Sequence, residues 1–116
     1  MFPTLGHVLV LENEPLISLD TEQMLKDFGA SAVTTFDTGA DALDWLASNT
    51  PDLAIVDPRL NDGVCADLGE RLVAAQVPFV VYSGAGVDDP IFQARAWLDK
   101  PTMPEIFEGT LRRLLG

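Results

Sequence analysis

The sequence predicts an α/β fold in which a five-stranded parallel sheet, of strand order 2-1-3-4-5, lies between two helical layers in a three-layer, doubly wound arrangement. Short β-prone apolar runs alternate with helical patterns along the chain. Strand–helix–strand crossovers of this kind are right-handed and join parallel strands. The 116 residues, 47% of them hydrophobic, suffice for one packed core, and we expect a single domain over residues 1–116 with no output module.

Each predicted strand is a short run of apolar and β-branched residues, which is typical of strands buried on both faces of a sheet. The runs are residues 8–11, 32–36, 53–56, 79–82 and 96–98. The third run leads directly into Asp57, and the fourth is ended by Ser83 and Gly84. Polar residues that follow these strands should meet at the carboxyl edge of the sheet, where doubly wound folds bind ligands.

The helices are predicted from apolar spacing together with start and stop patterns. Pro15 suits a first helical turn and Gly29 a helix end, so the first helix is expected over residues 15–28. Thr38 and Asp41 form a capping-box pattern that begins a second helix, which ends near Ser48. The remaining predictions are a loop over residues 58–63, a third helix around residues 68–75, a short fourth helix over residues 87–94 and a last helix from about residue 102.

The chain is strongly acidic, with 18 acidic and 7 basic residues and a formal net charge of -11. This field opposes binding to nucleic acid or to anionic membranes, and it favours divalent cations and basic partner surfaces. Cys65 is the one cysteine, so no internal disulfide is possible. We find no secretory leader and no apolar stretch long enough to span a bilayer, and we therefore expect a cytoplasmic protein.

The residues at the strand ends combine carboxylates, a hydroxyl and an amine. They are Glu12 and Asn13 after the first strand, Asp57 after the third, Ser83 after the fourth and Lys100 after the fifth. A carboxylate nucleophile needs a cation to accept an anionic phosphoryl group, and hard oxygen ligands select Mg²⁺. A lysine and a hydroxyl can meet the phosphoryl oxygens. Each residue alone also suits a turn or a cap, but their joint placement predicts phosphoryl transfer to Asp57.

On these residues the chain resembles the response regulator receiver family, whose domains have a flavodoxin-like fold, along essentially its full length. The resembling stretches are VLVLENEP at residues 8–15, PDLAIVD at 51–57, LNDG at 60–63, SG at 83–84 and DKP at 99–101. The stretch PFVVYSGAG at residues 78–86 is also similar to the Pro-Phe-x-Phe-Ala-Thr-Gly-Tyr-Gly signature of single-domain regulators in alphaproteobacterial stress signalling.

The resemblance implies a role for each of these residues. Asp57 would be the phospho-acceptor, and Ser83 would sense the phosphoryl group and act in the switch with Trp97. Lys100 would pair with the phosphoryl group, and the Lys100–Pro101 peptide would be cis. Mg²⁺ would be held by Glu12, Asn13, Asp57 and the backbone carbonyl of Arg59. The phosphoryl donor would be a histidine kinase or a histidine phosphotransfer protein. The output would pass to a downstream protein by contact or by phosphate transfer, without enzymatic turnover.

Three positions depart from the family pattern. One is Thr102, which stands where phenylalanine is common and suits a helix N-cap. Asn13 stands where a second metal-binding aspartate is usual, which predicts weaker Mg²⁺ binding unless Glu14, otherwise a helix-start acid, compensates. Trp97 stands where a smaller switch aromatic is usual, and it either switches or only packs. Asn13 and Trp97 favour one alternative, a degenerate receiver that binds proteins without phosphorylation. A flavodoxin-like enzyme or nucleotide binder is a weaker alternative, because an acidic segment replaces the glycine-rich loop after the first strand.

Overall fold

The computed structural model describes residues 5–84, 89–93, 95–100 and 102–115. The strands are β1 (His7–Leu11), β2 (Ala32–Phe36), β3 (Leu53–Val56), β4 (Arg59–Leu60), β5 (Gly63–Val64), β6 (Phe79–Ser83) and β7 (Ala96–Asp99). The helices are α1 (Pro15–Asp27), α2 (Gly39–Leu46), α3 (Ala66–Ala74), α4 (Pro90–Gln93) and α5 (Pro104–Leu115). No helix in these ranges combines the length and the apolarity needed to cross a membrane.

The five longer strands form one parallel sheet in the order β2-β1-β3-β6-β7. Counted among themselves, they have the predicted order 2-1-3-4-5, so the predicted topology is confirmed. The central strands β1, β3 and β6 are buried along almost their whole length. Because a doubly wound sheet is covered on both faces, an uninterrupted apolar run is what its central strands require.

Each face of the sheet carries its own helical layer. On one face, Leu9 and Val81 pack with α2, α3 and α4. On the other face, Val8 and Val80 pack with α1 and α5. Side chains of adjacent strand residues point to opposite faces, so neighbouring residues in one strand belong to different cores. The three-layer arrangement is therefore confirmed.

Local sequence determines where α2 begins and where α1 ends. The Thr38 hydroxyl accepts the Asp41 N–H at 3.2 Å, so the predicted cap of α2 is confirmed. After α1, Gly29 adopts a φ of 109°. Its N–H donates to the Lys26 carbonyl and the next N–H donates to the Leu25 carbonyl, both at 3.0 Å. This is the Schellman ending that a glycine favours, because glycine reaches positive φ without steric cost.

Two predictions were wrong in detail. Residues 58–63 are not a plain loop, because β4 and β5 pair antiparallel across the turn. The last helix begins at Pro104 rather than near Thr102, since proline fits a first helical turn where no N–H is required. The Thr102 hydroxyl instead donates to the Asp99 carbonyl.

Some predictions fall partly or wholly beyond the described ranges. The fourth helix is present as α4, but residues 87, 88 and 94 of its predicted span lie outside the described residues. The last two residues of the PFVVYSGAG stretch and the Lys100–Pro101 cis peptide also involve residues outside them.

Candidate functional site

Backbone hydrogen bonds place two carboxylates side by side at the carboxyl edge of the sheet. The Glu12 N–H donates to the Phe36 carbonyl at 3.1 Å, just beyond the paired ends of β1 and β2. The Asp57 N–H donates to the Leu11 carbonyl at 2.8 Å. Both side chains are buried, with 4% of Glu12 and 5% of Asp57 exposed. The sheet ladder itself therefore sets the spacing of the two acids.

Lys100 bridges these two carboxylates. Its Nζ lies 2.5 Å from Glu12 Oε1 and 2.6 Å from Asp57 Oδ2. The backbone N–H of Lys100 donates to the Ser83 carbonyl at 3.1 Å, which fixes the lysine beside the end of β6. Charge-assisted hydrogen bonds of this kind are strong, and here one ammonium serves two anions. The structure thus brings together residues that the sequence places after β1, β3, β6 and β7.

The remaining oxygen of each carboxylate is held by backbone. Asp57 Oδ1 accepts the Arg59 N–H at 2.9 Å, and Glu12 Oε2 accepts the Glu14 N–H at 3.1 Å. Each acid therefore has one oxygen on a fixed amide and the other on the lysine ammonium. A flexible lysine can be drawn to a new anion more readily than a backbone amide can move. The exchangeable contact of Asp57 is the one at Oδ2.

Burial and pairing shift two pKa values in this cluster. Burial raises the pKa of Glu12, and this effect outweighs the hydrogen bonds from Lys100 and Glu14, which lower it. Burial lowers the pKa of Lys100, but its hydrogen bonds to Asp57 and Glu12 outweigh that effect and raise the pKa overall. Lys100 is therefore a permanent cation in this site, whereas Glu12 is an acid that ionises at a cost.

The oxygen atoms at this edge of the sheet suit a hard cation, although few of them are negatively charged. Carboxylate, amide and carbonyl oxygens are what Mg²⁺ accepts. Among the described residues, no group of three acidic, histidine or cysteine side chains is arranged to hold a metal ion. Asn13, half-buried beside Glu12, lines with it a cleft of about 400 Å³. A metal ion bound here would therefore depend on the carboxylates of Glu12 and Asp57 together with the neutral oxygens of Asn13 and Arg59.

Ser83 and Trp97 take different positions relative to the carboxylates. Ser83 is buried at the end of β6 and lies next to β7, where it pairs in register with Asp99. Trp97 is half-buried in β7 and packs against the core on the α2–α3–α4 face. Its indole N–H donates to Asp99 Oδ1 at 3.2 Å. The indole therefore lies on the helix-covered face of the edge strand. Its hydrogen-bond partner is Asp99, not Asp57.

A second acidic site, which the sequence did not predict, lies on the β4–β5 hairpin. Asp62 Oδ1 accepts the Gly39 N–H at 2.8 Å, and Oδ2 accepts the Ala40 N–H at 3.0 Å. These two amides belong to the first turn of α2, where N–H groups lack partners within the helix. The hydrogen bonds from Gly39 and Ala40 lower the pKa of Asp62. The Asn61-Asp62-Gly63 turn pattern was visible in the sequence, but its contact with α2 was not.

Comparison with protein families gives one consistent result. Residues 8–102 match the model of the response regulator receiver domain. The solution structure of SdrG from Sphingomonas melonis Fr1 is 33% identical, covers 97% of this chain and 98% of its own, and superposes with a TM-score of 0.85. The similarity thus extends over both the sheet and the residues at its carboxyl edge.

Two further relatives extend the comparison. The transcriptional regulatory protein PdtaR of Mycobacterium tuberculosis is 30% identical over 102 residues, which are 81% of this chain and 49% of PdtaR. The chain therefore spans about half the length of the curated relatives it matches. The receiver domain of the sensor histidine kinase PA1611 from Pseudomonas aeruginosa, solved with magnesium in its active-site cleft, is 22% identical with a TM-score of 0.80 over 95% of this chain and 97% of its own.

Proposed function

The chain belongs to the response regulator receiver family, and on that premise we propose that it accepts a phosphoryl group on Asp57. The observation that carries this proposal is the contact of Lys100 Nζ with Asp57 Oδ2 at 2.6 Å. It places a cation where a phosphoryl group on that oxygen would bring its anionic oxygens. We further propose that the receiver acts in the cytoplasm.

The donor would be the phosphohistidine of a histidine kinase or of a histidine phosphotransfer protein. A carboxylate oxygen of Asp57 forms the new O–P bond while the P–N bond of the donor breaks. The electron pair of that bond stays on the imidazole nitrogen, which then takes up a proton. Lys100 meets the negative charge on the transferred group, as oriented cations do in phosphoryl transfer. The chain assists this step but does not turn over a substrate.

Mg²⁺ is the cofactor we propose, held by Glu12, Asn13, Asp57 and the Arg59 carbonyl. When bound, it would neutralise charge on the carboxylates and on the incoming phosphoryl oxygens. With Asn13 in place of an acid, the set offers two formal negative charges, and we expect weak binding.

The output would pass through protein contacts around β6 and β7. Ser83 would donate its hydroxyl to a phosphoryl oxygen, and Trp97 would respond to that movement. The indole can leave its place only by breaking its hydrogen bond with Asp99. A downstream protein would read the rearranged surface or receive the phosphoryl group.

The test of Asp57 is incubation with Mg²⁺ and a small phosphodonor such as acetyl phosphate, followed by intact-mass analysis. We expect one acid-stable, hydroxylamine-labile phosphoryl group, which Asp57→Asn abolishes. Asp62→Asn is the matched control, because it removes the charge of an aspartate on the same loop without touching Lys100. Labelling of Asp57→Asn at the wild-type level would disprove the assignment.

One observation favours a second candidate, a receiver that binds partners without phosphorylation. Asn13 removes one charge from the metal set, and Lys100 already neutralises the two carboxylates in part. The same experiment decides between the candidates, provided that an ordinary receiver is labelled in parallel. If the ordinary receiver is labelled and this chain is not, the second candidate is the correct one.

A further inference from the structure

Tyr82 lies directly against the bridging lysine. Lys100 Nζ is 5.7 Å from the centroid of the Tyr82 ring, within the range of a cation–π contact. Tyr82 immediately precedes Ser83 in β6 and is buried, with 6% of its surface exposed. We propose that Tyr82 is a positioning residue, whose ring holds the Lys100 ammonium on the carboxylates. This inference rests on the proposed role of Asp57 as phospho-acceptor.

The ring of Tyr82 is itself fixed by its surroundings. It packs edge-on against Phe107 of α5, with 5.3 Å between centroids and 84° between the planes. Its hydroxyl oxygen lies 3.4 Å from the Thr102 backbone nitrogen, which donates to it. The packing against α5 makes the ring a rigid surface, and the long contact with Thr102 adds little to it. A rigid surface can limit the motion of a lysine, whose four-carbon stem has many rotamers.

Without such a surface, the lysine would face open space. Tyr82 and Lys100 both line a largely apolar cleft of about 650 Å³ between α1 and the start of α5. Gly84 also lies beside the lysine stem but has no side chain, and a Cβ added there would lie at ordinary van der Waals distance from Lys100, 3.9 Å from its Cβ. Tyr82 therefore supplies a face of the lysine pocket that the glycine side does not. Removing the ring would widen the cleft beside Lys100 and let water compete with the carboxylates for the ammonium.

Three variants separate the ring from the hydroxyl and from general packing. Tyr82→Leu removes the aromatic face, and Tyr82→Phe keeps the face but removes the acceptor for the Thr102 N–H. Phe28→Leu is the matched control, since Phe28 lines the same cleft from α1 and packs against Phe107. The rate of phosphorylation by acetyl phosphate should fall about tenfold in Tyr82→Leu, between the effects expected for losing a cation–π contact at an exposed site and at a fully desolvated one. Tyr82→Phe and Phe28→Leu should keep the wild-type rate.

A spectroscopic measurement tests the contact without phosphorylation. The ring current of Tyr82 should displace the NMR signals of the Lys100 ε-methylene, which are assigned by their loss in Lys100→Met. We expect that displacement in wild type, Tyr82→Phe and Phe28→Leu, and its loss in Tyr82→Leu. An unchanged ε-methylene shift in Tyr82→Leu overturns the proposal, as does an equal loss of rate in Tyr82→Phe. If wild type takes up no phosphoryl group, the role of Asp57 fails, and the NMR shifts alone decide whether Tyr82 positions Lys100.

Discussion

Two carboxylates on the segment that follows β3 have opposite environments. Asp57 is buried, and it shares its Oδ2 with the ammonium of Lys100 at 2.6 Å. Asp62 lies in the β4–β5 turn, is exposed, and gives both of its oxygens to backbone N–H groups of α2. One aspartate is paired with the ammonium of a side chain, and the other with backbone amides in the first turn of a helix.

The difference teaches what makes an aspartate available for chemistry. The amides that hold Asp62 are fixed in the first turn of α2, so we interpret this contact as structural. The lysine that meets Asp57 can turn toward an incoming anion while it stays near the carboxylate. Residue type is therefore a poor guide to function on this segment, and the identity of the hydrogen-bond donor is a better one.

The largest expected effect follows from removing the Lys100 ammonium. Lys100→Met leaves Glu12 and Asp57 adjacent with no ammonium between them, and it removes the positive charge that would meet the phosphoryl oxygens. We expect the rate of labelling by acetyl phosphate to fall about 10²-fold, as for other electrostatic groups at transferring centres. Lys26→Met is the control, because Lys26 pairs with Glu22 on the surface of α1 at 2.8 Å. A rate for Lys100→Met within threefold of wild type would mean that Asp57 does not depend on its lysine.

A second expected effect concerns the metal and is smaller. Asn13→Asp adds a negative charge beside Glu12 in the same cleft. We expect the affinity for Mg²⁺, measured by calorimetry or by tryptophan fluorescence, to rise about tenfold, since ligand charge tunes the affinity of oxygen sites. Asp37→Asn removes a charge from the wall of that cleft, and Glu14→Gln tests whether an exposed neighbour contributes. Equal affinities for wild type and Asn13→Asp would show that the asparagine is no handicap.

Much of this fold could be predicted because its determinants are local. The runs of β1, β3 and β6, the cap at Thr38 and the glycine after α1 are readable within a few residues. The convergence of Asp57 and Lys100 was also predictable, because parallel strands end at the same edge. Their direct contact joins residues 43 positions apart. The sequence did not predict that the Lys100 ammonium contacts both Asp57 and Glu12.

The contacts that the sequence did not predict depend on tertiary packing. Asp62 meets Gly39 across 23 positions, and Tyr82 meets Thr102 across 20. Each involves a residue whose ordinary local role, in a turn or in a strand, already explains its presence. The start of α5 was misplaced for a related reason, because two overlapping patterns, Thr102 as a cap and Pro104 as a first residue, compete within one segment.

The stability of the two acidic sites should depend on pH with opposite signs. The pKa of Asp62 is lowered from 3.8, so its contribution is present above that value and is lost as the pH falls through the folded pKa. Burial raises the pKa of Glu12 from 4.5, so the folded state binds that proton more tightly than the unfolded state. The free energy of unfolding therefore decreases as the pH rises from 4.5 through the folded pKa of Glu12.

Two variants separate these contributions when the free energy of unfolding is measured with urea, as a function of pH, in metal-free buffer. Asp62→Asn should lose stability relative to wild type as the pH rises through the folded pKa of Asp62 to 3.8, because the wild-type carboxylate becomes charged there. Glu12→Gln should gain stability relative to wild type as the pH rises from 4.5 through the folded pKa of Glu12, because it avoids ionising a buried acid. Parallel curves for the two variants would contradict the contrast between the sites.

The smallest effect concerns the packing that holds the hairpin on α2. Gly39 is buried at the first position of α2, and a Cβ there would lie 2.6 Å from the Cys65 Sγ. Gly39→Ala should therefore lower the free energy of unfolding by about 1 kcal/mol, because the thiol must move. In a Cys65→Ala background the collision is absent, and the same substitution should be neutral or slightly stabilising, which gives a coupling of about 1 kcal/mol.

A glycine in open space separates this collision from the general effect of adding a methyl group. A Cβ on Gly109 of α5 would meet only the Arg113 Nη1, at 3.8 Å, so Gly109→Ala should stabilise the chain by about 0.5 kcal/mol through helix propensity. Labelling of Asp57 should stay at the wild-type rate in all these variants, because none alters Glu12 or Lys100. A drop in labelling for Gly39→Ala that Cys65→Ala restores would show that the hairpin also positions Asp57, and the two carboxylates would then form one coupled site.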